Sequence, residues 1–378
     1  MKNMDKKNIP MLGVFLALLF VGFIGYVISP DVKFSEDENR YLKEQPEFSA
    51  TALFSGDYTN GMNDYATDQF PLRSIAITVK TQAQKLVGVK DSNGVYFGKG
   101  GYLMLKKTPS EFKEKKFWNN LKAVESFATR NSDMPVSVLL APTAAGVYTG
   151  RLPEFAVDYH QIDTLKAVKS RLEKMENVKF IDSYSEIQEH LRENLYYRTD
   201  HHWTTKGAYY GYQAFCKAWD LDPVSYNTKK VSDDFYGTLY SKVLAAGTKG
   251  DTVEAPIIKE KLTVSHQMGK TVTDSLYDET KLKVKDKYQY FLGGNDGEVT
   301  IKTDVDNGKH LLVIKDSYAN CFLPFLTKHY ESIHVVDLRY FNDNLTMYTK
   351  ANEITEALVL YNMNNFDEDT SVIKLMMP

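Results

Sequence analysis

Asp200, His201, His202 and Trp203 lie within Thr199-Asp200-His201-His202-Trp203-Thr204-Thr205-Lys206-Gly207, the densest group of reactive side-chain types in the chain. A carboxylate two residues before an imidazole suits general-base chemistry. In an extended segment side chains alternate, so Asp200 and His202 project to one side while His201 and Trp203 project to the other. Asp200 can then accept a bond from one ring nitrogen of His202, which fixes the tautomer and leaves the other nitrogen free to take a proton. The same residues also read as a helix start. Thr204 is a good N-cap, and Ala208, Tyr209, Tyr212, Phe215, Cys216 and Trp219 recur at helical spacing behind it. A metal site is a third reading, although the chain has neither an H-E-x-x-H spacing nor a C-x-x-C pair.

A base needs a nucleophile. His310-Leu311-Leu312-Val313-Ile314 reads as a buried parallel strand, and it runs straight into Lys315-Asp316-Ser317-Tyr318-Ala319-Asn320. Open parallel sheets collect chemistry where strands end at their carboxyl edge. Ser317 therefore falls on a strand-to-helix turn, with its hydroxyl at the sheet edge and the N–H groups of the next turn facing it. The bland reading of this Asp-Ser pair is a helix cap.

The elements that must bring these residues together read as an α/β layer architecture. Val136 to Ala141 is an uninterrupted apolar run ended by Pro142, a helix is expected from about Ser110 to Thr129, a second from Gln161 to Met175, and a strand at Val178 to Asp182. Val95 to Met104 reads as a hairpin turning on Gly98, Gly100 and Gly101. From about 220 to 303 the chain is polar and turn-rich, with alternating pieces such as Lys261 to Ser265 and Lys281 to Lys285, and it reads as a β-rich insertion packed against the core. Ser332 to Asp337 and Ala357 to Tyr361 are further strands.

With 378 residues, a net charge of -3, 43% apolar and 25% charged residues, the chain can bury a substantial core and carries no global field for nucleic acid. Its two cysteines, Cys216 and Cys321, do not make a disulfide framework. Met11 to Ser29 holds no charged residue and is long enough to cross a bilayer. Lys2, Lys6 and Lys7 against Asp5 precede it, and Asp31, Glu36, Asp37 and Glu38 follow, so the expected order is a cytoplasmic tail at 1–10, an uncleaved anchor at 11–29, a stem and docking segment at 30–75 and an extracytoplasmic domain at 76–378.

The Asp-His-His-Trp stretch, the Asp-Ser-Tyr turn and the anchor together resemble the DHHW protein family, which is similar to the alginate O-acetylation proteins with an SGNH-hydrolase-like domain. The resemblance runs from Phe34 through Asn365. It implies Ser317 as nucleophile, His202 as base and Asp200 as orienting carboxylate. It further implies a three-layer α/β/α fold with a mainly parallel sheet. Ordinary SGNH chains begin with Gly-Asp-Ser and end with Asp-x-x-His, whereas here Asp200 and His202 come first. A circular permutation accounts for that order, and on it Arg339 and Asn362, just past the second and third late strands, fall where oxyanion or substrate-binding groups belong, with Tyr318 beside the nucleophile. Gly293-Gly294-Asn295-Asp296 does not fall there and reads as a turn. The implied activity is serine-dependent O-acetylation of a cell-surface or secreted polysaccharide, with no cofactor or metal, fed by a membrane-bound O-acyltransferase. An acetylesterase and a non-catalytic polysaccharide-binding scaffold are the alternatives.

Overall fold

The computed structural model describes residues 9–377, so Lys2, Asp5, Lys6 and Lys7 of the expected tail lie outside the described residues. The chain forms two compact units, one of residues up to Val89 together with Ser241–Ala246, the other of Lys90–Tyr240 and the residues from Gly247 on.

In the first unit, α1 (Ile9–Ile28) is a 20-residue helix long and apolar enough to cross a membrane. After the short helical turn Ala50–Ser55 come two longer helices, α2 (Asp57–Asp68) and α3 (Arg73–Leu86). Within the expected stem and docking segment, charged residues hold one another. Arg40 grips both oxygens of Asp68 at 2.7 and 2.8 Å, and Arg73 donates to Glu38 at 2.6 Å. The Arg40 hydrogen bonds hold the Asp68 carboxyl down at about 2.

The second unit is built on a mostly parallel sheet. Its strands in chain order are β1 (Val136–Ala141), β2 (Val178–Phe180), β3 (Thr263–His266), β4 (Thr271–Thr273), β5 (Glu298–Lys302), β6 (His310–Lys315), β7 (Ser332–Val336) and β8 (Glu356–Asn362). Across the sheet they run β4-β3-β5-β7-β6-β8-β1-β2. The strands from β7 to β2 are mutually parallel, and β5, β3 and β4 add an antiparallel edge.

Both faces of the sheet are covered, as near-continuous apolar strands require. Leu311 and Val313 of β6 face one core, while Leu312 and Ile314 face the other. The first core receives Ala208, Tyr212 and Phe215 from α6 (Thr205–Ala218); the second receives Phe117, Leu121 and Val124 from α4 (Glu114–Arg130) and Leu165 and Val168 from α5 (Gln161–Leu172). Each Leu, Val, Ile or Phe among these contributes about 1.5–3 kcal/mol on burial, which is what fixes β6 and the turn that follows it.

The expected hairpin is present as Val95–Phe97 paired with Leu103–Leu105, and Gly100 and Gly101 take φ values of 72° and 78° in its turn, a region that side chains disfavour. The polar stretch from 220 to 303 differs from expectation. Part of it does pack against the core as a separate piece, Thr228–Phe235 paired with Asp251–Pro256, with Phe235, Val253 and Ala255 in the first core, but the rest supplies β3, β4 and β5 to the main sheet. Lys281 to Lys285 is no strand either. Glu279–Lys283 forms a short helical turn because Asp278 caps it, accepting from the Thr280 N–H at 2.9 Å.

Candidate active site

The Asp-His-His-Trp segment precedes α6, whose first turn is capped as expected by Thr204, which accepts from the Gly207 N–H at 3.2 Å. The segment is not extended. It is a run of bends closed by the bridge Tyr196↔Trp203 and by the Tyr197 N–H donating to the His202 carbonyl at 3.3 Å. Strand alternation is therefore not what joins Asp200 to His202; the bend does so, because Asp200 Oδ1 accepts from the His202 backbone N–H at 3.0 Å as well as meeting its ring. Trp203 is fully buried and donates its indole N–H to the Tyr318 carbonyl at 2.9 Å. That bond ties the loop to the turn after β6.

At that turn Asp316 is the cap, and the Tyr318 N–H donates to its Oδ1 at 2.9 Å. Its Oδ2 accepts from the Asn362 N–H at 2.8 Å and from the Asn365 side chain at 3.1 Å, which locks the turn to the end of β8. Burial pushes the Asp316 carboxyl up, and these donors pull it back only in part. Tyr318 and Ala319 both give their N–H groups to Asp316, so the Ser317 N–H is left out of that cap. Ser317 itself is part-exposed.

Ser317, His202 and Asp200 meet. His202 Nε2 lies 2.8 Å from Ser317 Oγ, and His202 Nδ1 lies 2.5 Å from Asp200 Oδ1. Asp200 Oδ2 accepts from the backbone N–H and the hydroxyl of Thr238 at 2.8 and 2.9 Å. Burial raises the Asp200 carboxyl, but the facing imidazoles of His201 and His202 and these donors outweigh it and hold the group well below the usual carboxylate range. Gly237 makes that pocket possible: a Cβ there would lie 2.2 Å from Asp200 Cβ. Asp200, His201 and His202 also offer ligand atoms within 4.8 Å of one another, yet both ring nitrogens of His202 are already engaged and His201 Nδ1 meets Thr238 Oγ1 at 2.8 Å.

The remaining sequence candidates are placed differently. Tyr318 is 1% exposed and its hydroxyl donates to the His201 carbonyl, so its side chain braces the loop. Arg339 is clamped by Asp337, with Nε to Oδ1 at 2.8 Å and Nη2 to Oδ2 at 2.5 Å. Asn362 is buried, its Oδ1 accepts from the Asn364 N–H at 2.9 Å, and its Nδ2 has no partner among the described residues. Among the described residues neither side chain is bonded to Ser317.

Several neighbours escape sequence reasoning. The Tyr288 ring stacks on His202, and its hydroxyl donates to the Ser317 carbonyl at 3.0 Å and to Cys321 Sγ at 3.3 Å. Cys216 and Cys321 are both free and buried, and burial pushes the Cys321 thiol up to about 12. Lys315 is fully buried and donates to Asn295 at 2.7 Å and Asn320 at 2.8 Å. The glycine-rich stretch read as a turn thus touches the loop that carries Ser317. A groove of about 540 Å³ opens beside Asn295, lined in part by Asp296, Tyr340 and Phe341.

The arrangement defines an α/β protein in which a serine, an imidazole and a carboxylate converge at the carboxyl edge of a mostly parallel sheet. Residues 152–336 match the DHHW protein family. No curated protein matches the chain. Among solved structures, a DHHW family protein from Eubacterium siraeum DSM 15702 shares 26% identity at a TM-score of 0.64, over 75% of this chain and 96% of that one. Bacillus cereus PatB1 shares the fold at 19% identity and a TM-score of 0.57, over 73% and 97%. The O-acetyltransferase domain of Pseudomonas putida AlgJ aligns at 17% identity and a TM-score of 0.49, over 75% and 98%.

Proposed function

We propose that the protein is an extracytoplasmic serine O-acyltransferase that places acetyl groups on hydroxyls of a polysaccharide. One observation carries this reading, the unbroken relay from Asp200 through His202 to the Ser317 hydroxyl at 2.5 and 2.8 Å. Ser317 Oγ attacks the acyl carbonyl carbon while its proton passes to His202 Nε2. The donor leaves with that proton, and acyl-serine remains. A sugar hydroxyl then gives its proton to His202 and takes the acyl group, and the proton returns to Ser317. The Ser317 N–H and the unpartnered Nδ2 of buried Asn362 are suited to hold the oxyanion, the latter because a buried donor without an acceptor is costly unless a ligand supplies one. Arg339, committed to Asp337, is suited to shaping the site through that carboxylate.

Counting from β6 through β8 and on to β1 and β2, the parallel strands lie in the order 2-1-3-4-5, which fits a circularly permuted SGNH-like sheet. The anchor α1 keeps the second unit outside the cytoplasm, close to a membrane-bound O-acyltransferase that supplies acetyl. The acceptor chain lies in the groove beside Asn295, whose rim carries the half-exposed ring of Tyr340 for stacking against a sugar face. Cleavage of a chromogenic acetyl ester, alone and with an added polysaccharide acceptor, tests the reading. Turnover lost in Ser317→Ala supports it, and full turnover in that variant removes Ser317 as the nucleophile.

A further inference from the structure

α3 is folded inside out. At 100° per residue, Ile75, Ala76, Val79, Ala83 and Leu86 share an arc of about 100°. All five are solvent-exposed, Ile75 at 58%, Val79 at 61% and Leu86 at 87%. The side turned inward holds two threonines beside the part-buried Ile77. Thr81 is fully buried and donates to the Val243 carbonyl at 2.6 Å, and Thr78 is part-buried, bonded to the Ser74 carbonyl at 2.9 Å. A helix in water does the reverse, so this apolar stripe is built for another medium.

The start of α3 indicates which medium. Phe70 and Pro71, immediately before it, pack on α1: a Cβ on Gly22 would lie 3.6 Å from the Phe70 ring and one on Gly25 3.2 Å from the Pro71 ring. Tyr26 of α1 meets the Tyr65 ring of α2 edge-on at 6.4 Å, and the Tyr65 hydroxyl donates to Asp31 at 2.8 Å. Gly22, Gly25 and Tyr26 are all in the apolar run of α1, so the Phe70-Pro71 corner lies at the depth of the span and not beyond it.

We infer that α3 is an interfacial helix that lays Ile75, Val79 and Leu86 into the lipid headgroup boundary where α1 leaves the bilayer, so that the first unit is a collar seated on the membrane and not a free stem. This rests on the reading that α1 spans the membrane. The test labels single cysteines introduced as Ile75→Cys, Val79→Cys and, inside the span, Leu16→Cys with an environment-sensitive fluorophore in the full chain, reconstituted in phosphatidylcholine vesicles with brominated acyl chains. The native thiols are buried and leave the introduced one to react. Quenching of about twofold or more at 75 and 79 is expected. Quenching at 16 with none at 75 and 79 overturns the inference and leaves that face for a protein partner. Quenching at none of the three removes the anchor and the collar together, whereas quenching at 75 and 79 alone keeps the lipid contact and removes the span.

Discussion

The Tyr288 ring lies parallel to the His202 ring, with centroids 3.7 Å apart and planes 11° from parallel. It covers one face of the imidazole, while Asp200 and Ser317 take the two ring nitrogens. The imidazole is thus held in one orientation. Tyr288→Phe keeps the stack and is expected to retain most ester turnover, whereas Tyr288→Ala frees the ring and is expected to lower kcat about 10- to 100-fold. Steady-state kinetics on a chromogenic acetyl ester separate the two.

Asp200→Asn removes the charge that orients His202 and is expected to lower kcat by about 10⁴, as loss of the orienting carboxylate does in other serine relays. The same change alters acid stability. The folded Asp200 is held below its unfolded value of about 3.9, so its contribution is present above that pH and is lost as pH falls. Asp316, raised by burial, acts with the opposite sign and is unchanged in the variant. Acid unfolding followed by circular dichroism is expected to fall less steeply below about pH 4 in Asp200→Asn than in the parent.

Lys315 adds an alkaline counterpart. Burial lowers its ammonium to about 8 although Asp337 lies 3.8 Å away. Between that value and about 10.4 the unfolded chain binds more protons, so stability from this group rises with pH across the window. Lys315→Met is expected to flatten that rise while lowering stability at neutral pH by about 1–3 kcal/mol, because the Asn295 and Asn320 carbonyl oxygens lose their donor. Urea unfolding at pH 7, 8 and 10 measures both.

Gly237→Ala drives a methyl into Asp200 and is expected to destabilise the protein by about 1–3 kcal/mol and to reduce ester turnover more than a distant change of equal stability cost. Thermal unfolding beside kcat distinguishes the two effects.

Much of this site was legible because it rests on local patterns. The apolar run at β1 and the His310 to Lys315 strand follow from composition, and Ser317 follows from where that strand must stop. Asp200 and His202 were found by residue type, although a bend and not a strand brings them together. Tyr288, Thr238 and Gly237 were hidden, since each reaches the relay from a distant part of the chain through tertiary packing that no periodicity records. Strand order alone does not place Asn295 here; its bond to Lys315 arises because the stretch before β5 folds back over the end of β6. The outward face of α3 was unreadable as such: its apolar spacing looks like a core stripe until the fold leaves it uncovered.

The most direct measurement is the intact mass of the protein after brief incubation with an activated acetyl ester, followed by peptide mapping. The expected result is one added acetyl group on Ser317, absent from Ser317→Ala and formed far more slowly in His202→Ala. An unlabelled Ser317 in a protein that still turns the ester over, or a label that survives Ser317→Ala, contradicts the acyl-serine relay.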